Sequence, residues 1–211
     1  MSGDTAGRGP ATNGADASAM DLQLWQRLDW TLLLPELDGG AIAYGGRPDD
    51  ELRVALPLLG LPIHQLVEAG DPDGLTGSVS LVVLVDPTPA ELHRAVATCR
   101  PDGWVYAEIR RSVRRDGGPR TLRGWQRAFT AAGLDSVAVH WHAMTLANSS
   151  QIVPIAAARA VSHALAQHQG VRSRRVLAVI GRLALRTGWF PVIIPEGSVL
   201  GRRPPEGVGR R

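Results

Sequence analysis

Seven consecutive positions, Val79–Val85, constrain this chain more than any others: Val-Ser-Leu-Val-Val-Leu-Val, followed at once by Asp86 and Pro87. A strand with one wet face alternates apolar and polar residues. A near-continuous apolar run of this length fits a central parallel strand covered on both faces. Such a strand needs a sheet around it and a layer of helices above and below. The remaining sequence is therefore read for strands and helices in alternation.

That alternation is present. Asp21 to Leu34 carries Leu22, Trp25, Leu28 and Leu32 at helical spacing and stops at Pro35. Ala41 to Tyr44 is a short strand ending at Gly45-Gly46. Pro48 followed by Asp49, Asp50 and Glu51 opens a helix, with proline in the first turn and acids where the macrodipole favours them. Ile63 to Val67 is a second strand with Glu68 at its end. After Val79–Val85 come a helix over Pro89 to Cys99, a turn at Pro101-Asp102-Gly103 and a strand over Trp104 to Ile109. An amphipathic helix over Thr121 to Ala132 closes at Gly133. Val137 to Trp141 is a strand, Ile155 to Gln167 and Arg175 to Arg186 are helices, and Ser198 to Arg202 is the last strand. The expected fold class is α/β, a mostly parallel, doubly wound sheet flanked by helices.

At 211 residues the chain suits one domain with a substantial core, spanning 20–203, with a helical insertion at about 152–195. Residues 1–19 are small and polar and are expected to be disordered. Residues 204–211 form a short basic tail. The net charge is only +3, and all 23 basic residues are arginine. Aromatic interleaving is sparse, so nucleic acid is not an expected partner. The single cysteine, Cys99, precludes an intrachain disulfide and a cysteine-rich metal centre. With no membrane-length apolar stretch and no signal-peptide core at the N-terminus, the expected location is the cytoplasm.

Four segments, in order, resemble the class I S-adenosylmethionine-dependent methyltransferases. Gly40-Ala-Ile-Ala-Tyr-Gly-Gly46 resembles that family's first strand and glycine loop, and Val79–Asp86 its fourth strand with the usual terminal acid. Cys99-Arg-Pro-Asp-Gly-Trp-Val-Tyr106 resembles the turn into the fifth strand, and Ala131-Ala-Gly-Leu-Asp-Ser-Val137 the turn into the sixth. Gly197 to Arg203 fits the last strand, which in the family returns antiparallel. The resemblance implies methyl transfer, with Gly45, Gly46 and Glu68 holding S-adenosylmethionine and Asp86 near the transferred methyl group. Three departures stand out. Ala43 replaces the acid that precedes the loop, Arg47 takes the next glycine position, and only ten residues separate Glu68 from Val79. That is too short for a full crossover, so the family's third strand and its helix are expected to be missing. A dinucleotide-binding competitor would require G-x-G-x-x-G, which Gly45-Gly46-Arg47-Pro48 does not supply.

Other side chains sit where strand ends open onto a crevice. His140 and His142, two apart in a strand, point to one face. They can act as acid and base near neutral pH or share a metal, or they can be packing histidines; with no acid nearby, no metal site is assigned. Arg47, with Arg111, Arg114 and Arg115 in the loop after the fifth strand, can fork onto an anionic substrate or an acidic partner surface. Residues 176–194 are more apolar than a small lid needs, with Trp189 and Phe190 as potential anchors of a homo-oligomer or partner interface. Three functions remain: a tailoring methyltransferase of biosynthetic metabolism acting on a small-molecule or peptide acceptor, a catalytically inactive accessory or scaffold subunit of a biosynthetic complex, or, more remotely, a repurposed pocket doing different chemistry on an anionic substrate held by the arginine loop.

Overall fold

The structure, a computed structural model, describes residues 22–34, 39–66, 76–110, 118–143, 146, 151–167, 179–181 and 183–205. Seven strands form one sheet: β1 (Ile42–Gly46), β2 (Ile63–Gln65), β3 (Val79–Val85), β4 (Cys99–Arg110), β5 (Asp135–His142), β6 (Ile152–Pro154) and β7 (Glu196–Arg202). Their spatial order is β2-β1-β3-β4-β7-β5-β6. Strands β1 to β4 run parallel. Strand β7 is antiparallel to both β4 and β5, so β5 shares the direction of the first four. The sheet is α/β and Rossmann-like. The last strand returns antiparallel, and no strand lies beyond β2 among the described residues.

Every residue of β3 is buried. Its alternate side chains feed two cores. Leu81, Val83 and Val85 join Ile42, Tyr106 and Leu200 beneath Leu28, Trp30, Leu52 and Leu56. Val82 and Leu84 join Val105 and Ala107 beneath Leu92, Phe129, Val161 and Phe190. The first cover comes from the N-terminal segment and helix α1 (Asp50–Ala55). The second comes from helices α2 (Pro89–Thr98), α3 (Leu122–Ala131), α4 (Ala158–Gln167) and α5 (Phe190–Ile193). Burial on both faces is what the uninterrupted apolar run demanded. Tyr44 stands opposite Val83 and Gly45 opposite Leu84, so the glycine turn and Asp86 emerge side by side at the same edge.

Local chemistry sets the helix starts. Asp49 caps α1 by accepting from the Leu52 amide at 2.9 Å, leaving Pro48 just ahead of the helix rather than in its first turn. Thr88 and Glu91 form a reciprocal capping box on α2. Several boundaries differ from the periodicity. Residues 22–26 are helical, but Asp29–Leu33 tightens into a 3-10 turn. Leu22, Trp25 and Leu32 are thereby left outside, while Leu28 and Trp30 are buried. Trp30 stacks on Tyr106 at 4.2 Å, a contact a continuous α-helical stripe through Leu32 would not direct to the sheet. Ile152 and Val153, read as part of a helical insertion, instead pair with β5 as edge strand β6. No described helix is long and apolar enough to cross a membrane.

Two glycines with positive φ make a contrast. Gly46 has φ +90°, and an added Cβ would stand 2.3 Å from the Val85 carbonyl oxygen; Gly60 has φ +68° with nothing within 4 Å. Gly60→Ala should cost about 1 kcal/mol of backbone strain. Gly46→Ala should cost about 3 kcal/mol or more, because the β1–β3 seam must open. Urea denaturation of both variants checks the order, and equal losses would contradict the registered seam.

Candidate functional site

At the C-terminal edge of the sheet, acids from three elements converge with two arginines. Glu108, near the end of β4, is fully buried. Both of its oxygens accept from Arg27 of the N-terminal segment, through Nη1 and Nη2. Arg27 Nη2 also lies 3.1 Å from Asp49 Oδ2, so one guanidinium ties the N-terminal segment to β4 and to the cap of α1. Asp86, which follows β3 with φ 42°, is tied to Arg110: the Arg110 amide donates to Oδ1 at 2.7 Å and its Nε to Oδ2 at 2.7 Å. Arg110 Nη2 stands 3.9 Å from Asp49, closing the network. Three carboxylates thus share two guanidiniums.

The electrostatics follow from burial and pairing. For Arg27, burial alone would lower the pKa, but the hydrogen bond and charge of Glu108 raise it overall. Burial pushes Glu108 upward against the pull of Arg27. Because arginine stays charged and the fork is two-pronged, the ion pair is the state that the geometry describes. Asp49 is lowered overall: its burial is outweighed by the Leu52 amide and by Arg27.

A second chain of polar groups starts from the same carboxylate. The Tyr106 hydroxyl donates to Glu108 Oε1 at 3.3 Å. On β7, Ser198 Oγ lies 2.9 Å from His142 Nε2. His140 pairs with Ser198 across the β5–β7 ladder, so His140 and His142 share one face of the sheet with Ser198. They are 5% and 2% exposed, so both are interior side chains. Burial pushes His140 down to about 4, and burial, followed by His140 and Arg27, pushes His142 down to about 3. Near neutrality both rings are uncharged, so neither titrates in the range that a solvent-exposed rim histidine would.

The glycine turn is occupied by the chain's own atoms. A Cβ on Gly45 would meet Leu66 at 2.8 Å, and Gly46 abuts the Val85 backbone. The Arg47 amide donates to the Val85 carbonyl at 2.7 Å, while its side chain is exposed. Glu68, Arg111, Arg114 and Arg115 lie outside the described residues. In the insertion, residues 179–181 and 183–186 are helical. Val179, Ile180, Leu183 and Trp189 are 62%, 49%, 62% and 61% exposed. Phe190 is buried and meets Trp141 edge-on at 5.5 Å, so Trp189 faces outward and Phe190 packs inward.

Sequence reading placed Asp86, His140, His142, Gly45, Gly46 and Arg47 in elements that meet at or near this edge. It missed Arg27, Asp49, Tyr106, Glu108 and Ser198. One signal was available: Glu108 sits inside the apolar strand Trp-Val-Tyr-Ala-Glu-Ile, and a charge buried there requires a partner of opposite sign.

No family model matches this chain, and neither does any curated protein. Solved structures resemble it at low identity. An S-adenosylmethionine-dependent methyltransferase of Thermotoga maritima is 10% identical, with 90% of this chain and 96% of that one covered and a TM-score of 0.45. The Haloferax volcanii protein solved in complex with the Trm112 methyltransferase activator is 15% identical, covering 91% and 95%, with a TM-score of 0.45. A phosphoethanolamine N-methyltransferase 2 of Haemonchus contortus, solved with S-adenosylhomocysteine, is 9% identical, covering 85% of this chain and 52% of its own, with a TM-score of 0.42.

The histidines set a pH dependence. An unfolded imidazole takes up a proton near pH 6.5, whereas the folded rings resist until about 4 and 3. The unfolded state therefore binds more protons in between, and stability falls as pH drops from 6.5 toward 4. Each ring contributes a slope of about 1.4 kcal/mol per pH unit in that window. His142→Gln should remove one such share. Denaturation midpoints at pH 7 and pH 4.5 measure it, and an unchanged slope would contradict the buried neutral ring.

Proposed function

We propose that this chain is a non-catalytic, methyltransferase-like subunit that serves a larger biosynthetic assembly. One observation carries the reading: the acids at the strand ends, Asp86 and Glu108, are already neutralised by the chain's own Arg110 and Arg27. In this reading the N-terminal segment occupies the crevice that a nucleoside cofactor would need. Gly45 and Gly46 support it too, since the space they leave is filled by Leu66 and Val85 rather than held open. Arg47 spends its amide on Val85. As they stand, these residues do not fit the methionine end of S-adenosylmethionine.

The partner surface in this proposal is the apolar part of residues 176–194. Val179, Ile180, Leu183 and Trp189 are large, exposed and close in sequence, a composition suited to the buried centre of a contact. A homo-oligomer and a different partner protein both suit such a surface. The cytoplasm is the proposed compartment, where a lone thiol such as Cys99, buried and pushed up to about 12 by that burial, stays inert. The competing reading is the tailoring enzyme, with Glu68 on the cofactor ribose and the acceptor beside Asp86.

Calorimetric titration with S-adenosylmethionine and with its demethylated product separates the two. The accessory reading expects no saturable heat with millimolar ligand; saturable binding that is lost in Glu68→Ala would overturn it. For the surface, size-exclusion chromatography with light scattering on the co-purified assembly should show dissociation in Leu183→Ser/Trp189→Ser. An unchanged assembly would place the contact elsewhere.

A further inference from the structure

Large apolar side chains lie exposed on both faces of the molecule. On the face covered by the N-terminal segment and α1 they are Leu22, Trp25, Leu32 and Val54. On the face covered by α4 and α5 they are Val179, Ile180, Leu183 and Trp189. Single exposed apolar residues are ordinary, but large ones gathered on one element mark a contact.

The helical residues 179–181 and 183–186 are turned the unusual way round. The side they bury is small: Ala184, and Gly181, where an added Cβ would stand 3.0 Å from Leu165. The side left to solvent holds Val179, Ile180 and Leu183. An amphipathic helix that serves only its own core buries the large residues instead. Leu22 and Trp25 repeat the pattern on the other face. Three apart in a helical turn, they share its outer side while Leu28 and Trp30 turn inward.

Charge sets the two faces apart. Between Asp135 and Glu196 the sequence holds six arginines and no acid, and Arg159 and Arg186 are exposed. From Leu22 to Ala55 it holds six acids and three arginines, with Asp50 and Glu51 exposed in the first turn of α1. Each face offers an apolar set with charge of the sign opposite to the other. A surface of anionic lipid would answer the basic face and leave the acidic one uncovered. A second copy of the chain answers both. We propose that copies of this protein associate head to tail, the N-terminal face of one on the 179–189 face of the next. The two surfaces differ and belong to opposite sides of the sheet. The contact is therefore heterologous, and it grows into a ring or an open filament rather than a two-fold dimer. The inference rests on the reading of residues 176–194 as a contact surface and adds its occupant and the second surface.

The test uses the purified full chain and light scattering over a range of micromolar concentrations. Mass should rise with concentration beyond two copies. Trp25→Ser/Leu32→Ser and Ile180→Ser/Leu183→Ser should each be monomeric with unchanged melting temperatures, since all four side chains are exposed. Mixed in equal amounts, the two variants each retain one intact face and should form a heterodimer that grows no further. Added salt should weaken it. A mixture that stays monomeric would overturn the proposal, as would an assembly that survives the loss of either face or a heterodimer indifferent to salt. A monomeric chain carried down by phosphatidylserine vesicles would assign the basic face to lipid and sink the proposal equally. If the purified chain is monomeric but the co-purified assembly still dissociates in Leu183→Ser/Trp189→Ser, a different protein occupies that face. That result would end this inference and leave the accessory reading standing.

Discussion

The ion pair between Arg27 and Glu108 is the contact on which the crevice edge depends. Two charges removed from water lose several kcal/mol of hydration each, and only a well-matched pair with its remaining valences filled recovers that loss. Glu108 meets the condition with two bonds from Arg27 and a third from Tyr106. The consequence is long-range. Residue 27 lies 81 positions before its partner, so pairing fastens the N-terminal segment across the middle of the sheet. The Trp30–Tyr106 stack, with planes 12° apart, repeats the attachment one turn later through an apolar contact. Aromatic pairs of this kind add about 0.5–1.5 kcal/mol beyond the area they bury. Asp49 extends the same guanidinium's reach to α1, and Arg110 links Asp49 to Asp86.

At the strand ends Asp86 and Glu108 hold the fold's own cations, Arg110 and Arg27. Glycines at the β1 turn relieve crowding between β1, Leu66 and β3 rather than leaving room for a visitor. Nδ1 of His140 and Nδ1 of His142, farther along the sheet, are among the buried nitrogens without a hydrogen-bond partner.

The sheet was largely legible because burial on both faces writes itself into composition. Val79–Val85 announced its central position, and every residue of that strand is buried. Boundaries were less legible where tertiary contacts override periodicity. The N-terminal helix gives way to a 3-10 turn so that Leu28 and Trp30 reach the core. The start of β4 moves back to Cys99, where a register shift against β3 absorbs the turn at Asp102. Edge strand β6 was hidden because three residues beside a helix carry no period. The site was half legible. Asp86 and the histidine pair stand in strand-end motifs, but Arg27 belongs to a segment whose apolar spacing drew attention to its neighbours. Nothing local in Ser198 reveals that it meets His142; only the register of β7 against β5 does.

A double-mutant cycle on Arg27 and Glu108 tests this account most directly, with Arg27→Met, Glu108→Leu and the pair compared by urea denaturation. Arg27→Met leaves Glu108 buried without its cation and should cost about 3–5 kcal/mol, and Glu108→Leu, which leaves Arg27 with Asp49 alone, should cost less. The pair, matched in volume and uncharged, should cost at least about 2 kcal/mol less than the sum. Losses that add within about 0.5 kcal/mol would mean that the two residues do not hold each other, and the network at the strand ends would lose its foundation.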